Sequence, residues 1–444
     1  MAAIKSNKLI ITPIIQQYVE DSAFLWILRD GAVKQPHYNL NDLVKLDARI
    51  EACIDGIRIA RDPGWELSEQ ALIFEEAGEV FTAALLAYES GDANKIETVL
   101  KIAGHDLEVF SGFMSALGWL PFPMVEPWLM GMANANASIY RFSSIAAYSL
   151  HRVDPGPFLN KAIQDEHSLV QARALRLAGE LKRKDLLIEL QGFFQSGDDN
   201  LRFWSVWSAI LLGDHSAIEH IKPYFTTKSP YFNRAFQLVL RCMDIPTAQQ
   251  WLQGLAKFPD TLRHVIKGAG IVGDPAFVPW IIKQMENKKV ARVASEAFVM
   301  ITGVDFDDQK LEGEWPEGFE AGPTENPQDD NVAMDPDEDL PWPEPSLVAQ
   351  WWEQNKHRYQ EGVRYLVGQP ITVDHCRQVL HTGYQRQRRA AALELAIRVS
   401  SEPLFNTSAP GKRQQQLLSR RQEMGQRSAQ EPAIRSRGKA DLVT

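Results

Sequence analysis

An aspartate-marked turn recurs along this chain with a nearly constant step. Asp154, Asp185, Asp214, Asp244, Asp274 and Asp305 are 31, 29, 30, 30 and 31 residues apart. Stepping back from Asp154 by 31 residues reaches Pro123, in a turn with Pro121, and a further 31 reaches Asp92. A period of this length is the signature of stacked helical units, each unable to bury its apolar face without a neighbour. The clearest unit is 165–195: an aliphatic helix carrying Arg173 runs to Gly179, a turn reaches Asp185, and a second aliphatic helix follows.

Local turn chemistry explains the repetition. In ILLGDHSAIEHI, Gly213 suits the left-handed position after one helix and Asp214 suits the N-cap of the next. GIVGDPAFVPWII offers the same pair, Gly273 and Asp274, with Pro275 at the first helical position, where its missing N–H costs nothing. Asp154 and Asp185 are assigned the same turn role. Each interval has room for two helices of roughly ten residues, too short to be stable alone, so stacking must supply most of the stability. The expected fold is therefore all-α, a helical-repeat solenoid of about 30 residues per unit. Its parts are an N-terminal helical cap (1–75), the repeat array (76–304), an acidic Pro-rich irregular insertion (305–345), a C-terminal helical segment (346–410) and a Gln/Arg-rich basic tail (411–444) expected to be disordered.

Charge is distributed unevenly. The chain of 444 residues has a formal charge of −10, yet 305–345 holds fifteen acids and one base, Lys310, so that stretch carries −14 and the remainder +4. An acidic chain is a poor general nucleic-acid binder, and no nucleic-acid partner is expected. A second ladder accompanies the turns. Arg141, Arg173, Arg202, Arg263 and Arg292 precede their turns by 11 to 13 residues. Pairing along the array is the simpler reading; a basic stripe for phosphates or acidic partners is the alternative. The acidic stretch is punctuated by Trp315, Phe319 and Trp342, which suggests chain that lies across a surface, either a partner's or its own. Those aromatics, the acids Asp335, Asp337, Glu338 and Asp339, and Trp204 with Trp207 are the candidate partner-binding residues, although two Trp three residues apart in an array also serve as core.

Signatures of chemistry are sparse. GxGxxG after a strand, P-loop, HExxH and GxSxG are all missing, and no catalytic or cofactor-binding residue is assigned. Asp374, His375, Cys376 and His381 in DHCRQVLH match no common zinc spacing, and MDPDEDL lacks the glycine and terminal glutamate of a calcium loop, so no metal is expected. Glu75, Glu76 and Glu79 lie within one turn, where either acid–base work or a helix N-terminus accounts for them. Cys53, Cys242 and Cys376 are scattered thiols suited to a reducing compartment. Lys5 and Lys8 before a short apolar run imitate a signal peptide without its length or cleavage pattern, and a cytoplasmic protein without membrane insertion is expected.

The chain resembles the HEAT family of helical repeats in a short-period form. More closely, it resembles an uncharacterised bacterial family found near type VI secretion spike genes. ALGWLP (116–121), RALRLAGEL (173–181), RFWSVWSAILLGD (202–214), GAGIVGDPAFVPWII (268–282), EAFVMITGVD (296–305), PEGFEAGP (316–323), DPDEDLPWPEP (335–345) and RYLVGQP (364–370) carry that likeness, over roughly residues 20–415. It implies a non-enzymatic scaffold or adaptor with a protein partner, a secretion spike or effector component. The alternatives are an immunity protein for a neighbouring toxin, or a HEAT-like enzyme of lyase or DNA-base glycosylase type. No site residue is carried over.

Overall fold

Helices account for nearly all the regular structure, and the turn rules above place their ends. The computed structural model describes residues 10–226, 228–322 and 334–421, with the side chain of residue 259 left aside. The chain forms two compact units, divided between Phe158 and Leu159, with Gln35–His37 grouped with the second unit and the chain returning to the first from Asn406.

The first unit contains α1 (Thr12–Ala32), α2 (Leu40–Ala60), α3 (Asp62–Ala71), α4 (Ala77–Ser90), α5 (Ala93–Ala103), α6 (Leu107–Trp119), α7 (Phe122–Met132) and α8 (Ser138–His151). Asn39 starts α2 through a reciprocal capping box with Asp42, and Asp92 caps α5. Alternate helices stack: α1 on α4, α4 on α6, α6 on α8. Trp26, Phe81 and Trp119 meet at 5.6 and 5.4 Å between ring centres in this stack. Gly112 permits the α4–α6 approach, because a Cβ there would lie 1.9 Å from the Ala77 carbonyl oxygen.

The second unit begins within α9 (Pro157–Ile163). It continues with α10 (Ser168–Glu180), α11 (Leu187–Gln191), α12 (Asp199–Leu212), α13 (Ile218–Ile221), α14 (Phe232–Cys242), α15 (Ile245–Leu255), α16 (Leu262–Val272), α17 (Val278–Gln284) and α18 (Ala291–Thr302). The first helix of each pair is long and the second is often short; α11, α13 and α17 are each entered through a single 3₁₀ turn. Gly213 and Gly273 are left-handed (φ 101° and 74°), and Asp214 and Asp274 accept the N–H bonds of Ser216 and Ala276. Asp154 accepts the Gly156 N–H in its turn.

Asp185 departs from the expected geometry. It lies inside a 3₁₀ turn without a capping bond and is held instead by the Arg183 guanidinium, at 2.8 and 2.6 Å. Lys182 takes the left-handed position (φ 63°) that glycine fills elsewhere. Its ammonium donates to the carbonyls of Leu211 and Ala396, and burial pushes its pKa down to about 8.

The acidic stretch is built into the core of this second unit. Phe306 and Leu311 join Phe298, Ile301, Val348, Trp352 and Tyr365 in one buried cluster. Beyond it come α19 (Pro345–Asn355), a two-stranded hairpin of β1 (Tyr365–Leu366) and β2 (Gln369–Pro370), α20 (Val373–Thr382) and α21 (Gln385–Arg398). The hairpin caps helix C-termini: Tyr365 N–H donates to Gly273, Val367 to Met300 and Gly368 to Ile301. Arg364 adds side-chain bonds to the Val272, Ile271 and Arg241 carbonyls.

The start of the tail is also ordered, contrary to expectation. Residues 411–421 form α22 in the first unit. Its Arg413 donates to the Gly118, Trp119 and Leu120 carbonyls at the end of α6, and Gly411 N–H donates to Asp47. Helix α22 has polar composition but contributes the cation that α6 needs at its C-terminus. The rest of the expected tail, 422–444, lies outside the described residues. Among the described residues, no helix is long and apolar enough to cross a membrane.

Candidate interaction surface

The arginine ladder rides on the first helix of successive pairs: Arg141 on α8 in the first unit, and Arg173 on α10, Arg202 on α12, Arg263 on α16 and Arg292 on α18 in the second. Each is tied to the protein. Arg141 donates to the Ala135 and Asn136 carbonyls. Arg173 meets the fully buried Glu180 at 3.2 Å, and Arg202 donates to the Tyr224 hydroxyl and to Asp199.

The last two rungs hold the acidic stretch. Asp337, 4% exposed, receives both terminal nitrogens of Arg263, one of them at 2.7 Å. Arg292 pairs with Asp335 at 2.7 Å and donates to the Asp337 carbonyl at 2.9 Å. Burial opposes ionisation of Asp335, but the Arg292 guanidinium and the Asp337 N–H outweigh it and hold the carboxyl below its usual range. The Arg292 guanidinium also lies 5.0 and 5.5 Å from the ring centres of Trp315 and Trp342, within cation–π range. Trp315, Phe319 and Trp342 pack together with centres 5.2 to 5.8 Å apart. A β-bridge between Glu312 and Pro343 closes the excursion, with Gly313 N–H donating to Trp342 and Glu344 N–H to Leu311. The described residues of this acidic strap thus lie across their own unit.

The partner-binding candidates are accordingly sorted by exposure. Trp204 and Trp207 are buried, 8% and 6% exposed, in an aromatic cluster with Phe203 and Tyr231, and so fill core rather than present a patch. Asp335 and Asp337 are engaged by arginines. Trp315, Glu338 and Asp339 remain exposed at the strap surface.

One rung escaped the sequence pattern. Arg234, on α14, precedes Asp244 by 10 residues and falls just outside the 11-to-13 window. Its guanidinium and that of Arg176 lie 5.6 and 4.6 Å from the Trp204 ring centre. Arg176 also pairs with Glu180 at 2.9 Å. Burial and the like charges of Arg176 and Arg389 lower the Arg234 pKa. Lys267, one turn beyond Arg263, is lowered by burial and then by Arg263 and Arg386.

Other chemistry-bearing residues are occupied structurally. His375 bonds the Leu366 carbonyl, Cys376 is buried with its thiol pushed up to about 12, and Asp374 is exposed. Among the described residues, no group of three or more His, Cys, Asp or Glu is placed to hold a metal ion. In the first unit, burial raises the Glu79 pKa, assisted by Glu76, while Glu75 takes a left-handed turn.

Fold and surface together define an all-α protein whose helix pairs present a rail of arginines. Compared with known proteins, no family model matches the chain and no curated protein matches it.

Proposed function

We propose that this chain is a non-enzymatic HEAT-like scaffold or adaptor that works in the cytoplasm on assembly or effector loading of a type VI secretion spike. The observation that carries the reading is the arginine rail with an acidic, aromatic-bearing strap on two of its rungs. Stacked helical repeats offer extended surfaces for protein partners, and this one is already shaped to receive an extended acidic chain. The secretion context rests on the sequence resemblance. Deleting the gene in a cell with an active spike tests it: loss of secretion of one effector, restored by the plasmid-borne chain, supports loading. Intact secretion with new sensitivity to a sibling's toxin transfers the reading to immunity. Intact secretion and intact resistance overturn both.

A second reading, an enzyme acting on a base or sugar, is favoured by one feature. In the first unit a cavity of about 320 Å³ brings Glu97 together with Trp128 and Tyr140. Base release from damaged duplex DNA that is abolished by Glu97→Gln would establish it; no release by the wild-type chain would remove it.

A further inference from the structure

The strap shows how the rail reads an acidic chain. Asp335 and Asp337 are two residues apart, and they reach Arg292 on α18 and Arg263 on α16 respectively. One short stretch thus bridges two successive stacked helices, while its aromatics cover a guanidinium. The rail continues past the strap. Lys267 stands on α16, Arg234 on α14 and Arg176 on α10, with Arg386 and Arg389 on α21, which packs against α12 and α14.

The carboxylates near these cations are already committed. Glu180 takes Arg173 and Arg176, and Glu296 takes Arg386 at 2.7 Å. Neither Arg234 nor Lys267 makes a salt bridge among the described residues, and Arg234 is exposed. The Trp204 ring beside Arg176 and Arg234 is buried, so the charge here is offered without an exposed aromatic.

We propose that Arg234 and Lys267, with Arg176 beside Arg234, form a docking site for an extended acidic segment of a partner protein in which two carboxylates stand two residues apart. The site deepens the scaffold reading and rests on it. Charge complementarity selects the occupant, and the chain's own DPDEDLPW (335–342) is the pattern for it. Burial, then neighbouring cations, hold both groups below their usual pKa values despite Glu180 near Arg234 and Glu296 and Asp337 near Lys267, and an arriving carboxylate would offset that cost. A cationic run of this kind also speeds encounter with an acidic partner, an effect that falls with salt.

The test uses the full chain and a fluorescein-labelled DPDEDLPW peptide followed by anisotropy. Because the chain's own aspartates occupy Arg263 and Arg292, binding in trans reports the open rungs. Expected are saturable binding that weakens with salt, loss of binding when the peptide aspartates become asparagines, and a drop of about tenfold or more in Arg234→Gln/Lys267→Gln. Lys283→Glu, a charge reversal at an exposed residue of α17, should bind like wild type. The glutamine pair removes charge without reversing it, and an unchanged melting curve shows the variant folded; if it does not fold, Arg234→Lys/Lys267→Arg should retain salt-dependent binding. Equal binding by wild type and the glutamine pair overturns the site, as does tighter binding of single-stranded RNA than of peptide at equal salt. A secretion defect on gene deletion beside either of those results leaves the scaffold reading standing and removes only this surface.

Discussion

Replacing Asp337 with asparagine should release the strap without unfolding the unit that carries it. The carboxylate is almost fully buried and both its oxygens receive Arg263, whose side chain is 25% exposed. Asparagine keeps one acceptor but turns an NH₂ group toward the guanidinium. A charge-assisted bond is worth about 1.5–3 kcal/mol. Removing one partner of a well-buried pair costs about 3–5 kcal/mol, and the partial exposure of Arg263 brings the expectation down to about 2 kcal/mol. At about 1.4 kcal/mol per decade, that raises the population of the released strap roughly 30-fold. Hydrogen exchange reads this directly, because Gly313 donates to Trp342 and Glu344 to Leu311 across the bridge that closes the strap. Their amides should exchange about 30-fold faster, while amides in the middle of α16 and α18 keep their rates. A double-mutant cycle with Arg263→Gln should give a coupling of at least about 1 kcal/mol. Unchanged exchange at those two amides, or strictly additive losses in the cycle, refutes the claim that this pair holds the strap.

Three further outcomes follow from other parts of the molecule. Glu394, 1% exposed, receives Arg364 at 2.9 Å and Arg398 at 3.1 Å beside Arg241, so Glu394→Gln should destabilise the second unit by about 3–5 kcal/mol in urea unfolding; a loss below about 1 kcal/mol would show the cations are satisfied without it. Gly112→Ala should gain up to about 1 kcal/mol by helix propensity alone, yet its Cβ meets the Ala77 backbone, so a net loss of about 1–3 kcal/mol is expected from thermal melting, and a raised Tm would contradict the packing. His151 is held neutral, pushed down to about 4 by burial and then by Arg413. Between pH 6.5 and 4 the unfolded chain binds a proton there that the folded chain does not, so stability falls as pH falls, by up to about 3 kcal/mol. The stability advantage of wild type over His151→Gln should shrink across that window in urea titrations, and a pH-independent difference would count against the assignment.

The parts of the fold legible from the sequence are those governed by nearest neighbours along the chain. Gly213–Asp214 and Gly273–Asp274 obey local rules, because a left-handed residue and an N-cap need only adjacent backbone. Asp185 eluded the same rule because Lys182, not glycine, takes the left-handed position, and what stabilises Lys182 there comes from Leu211 and Ala396, far along the chain. Residues 411–421, at the start of the tail, escape a composition rule for a related reason. Polar composition forecasts disorder when a segment must bury its own apolar surface, but α22 is held by what Arg413 gives to the carbonyls at the C-terminal end of α6. Low branched-apolar content concealed the strap in the same way: Phe306, Leu311 and Leu340 anchor it, and the rest is fixed by Arg263 and Arg292. Arg234 was missed by one residue of spacing.

Net charge misleads in a chain organised like this one. The total of −10 combines −14 in 305–345 with +4 elsewhere. Within the described residues, Asp335 and Asp337 neutralise the rail locally, at Arg292 and Arg263. Screening limits their reach to about a Debye length, near 8 Å at physiological salt, so Asp337 acts on Lys267 while the formal charges acting on Arg234 are those of Arg176, Arg389 and Glu180. Arg234 is therefore an exposed cation on an acidic protein, with Lys267 half-buried on the next stacked helix. Bulk charge then governs which large polyanions approach at long range, while the rail governs what is held on contact. A long nucleic acid is opposed by the net charge of −10, whereas a short acidic segment of a partner protein meets only the rungs it occupies. That asymmetry is the physical reason to expect an acidic peptide rather than RNA at Arg234.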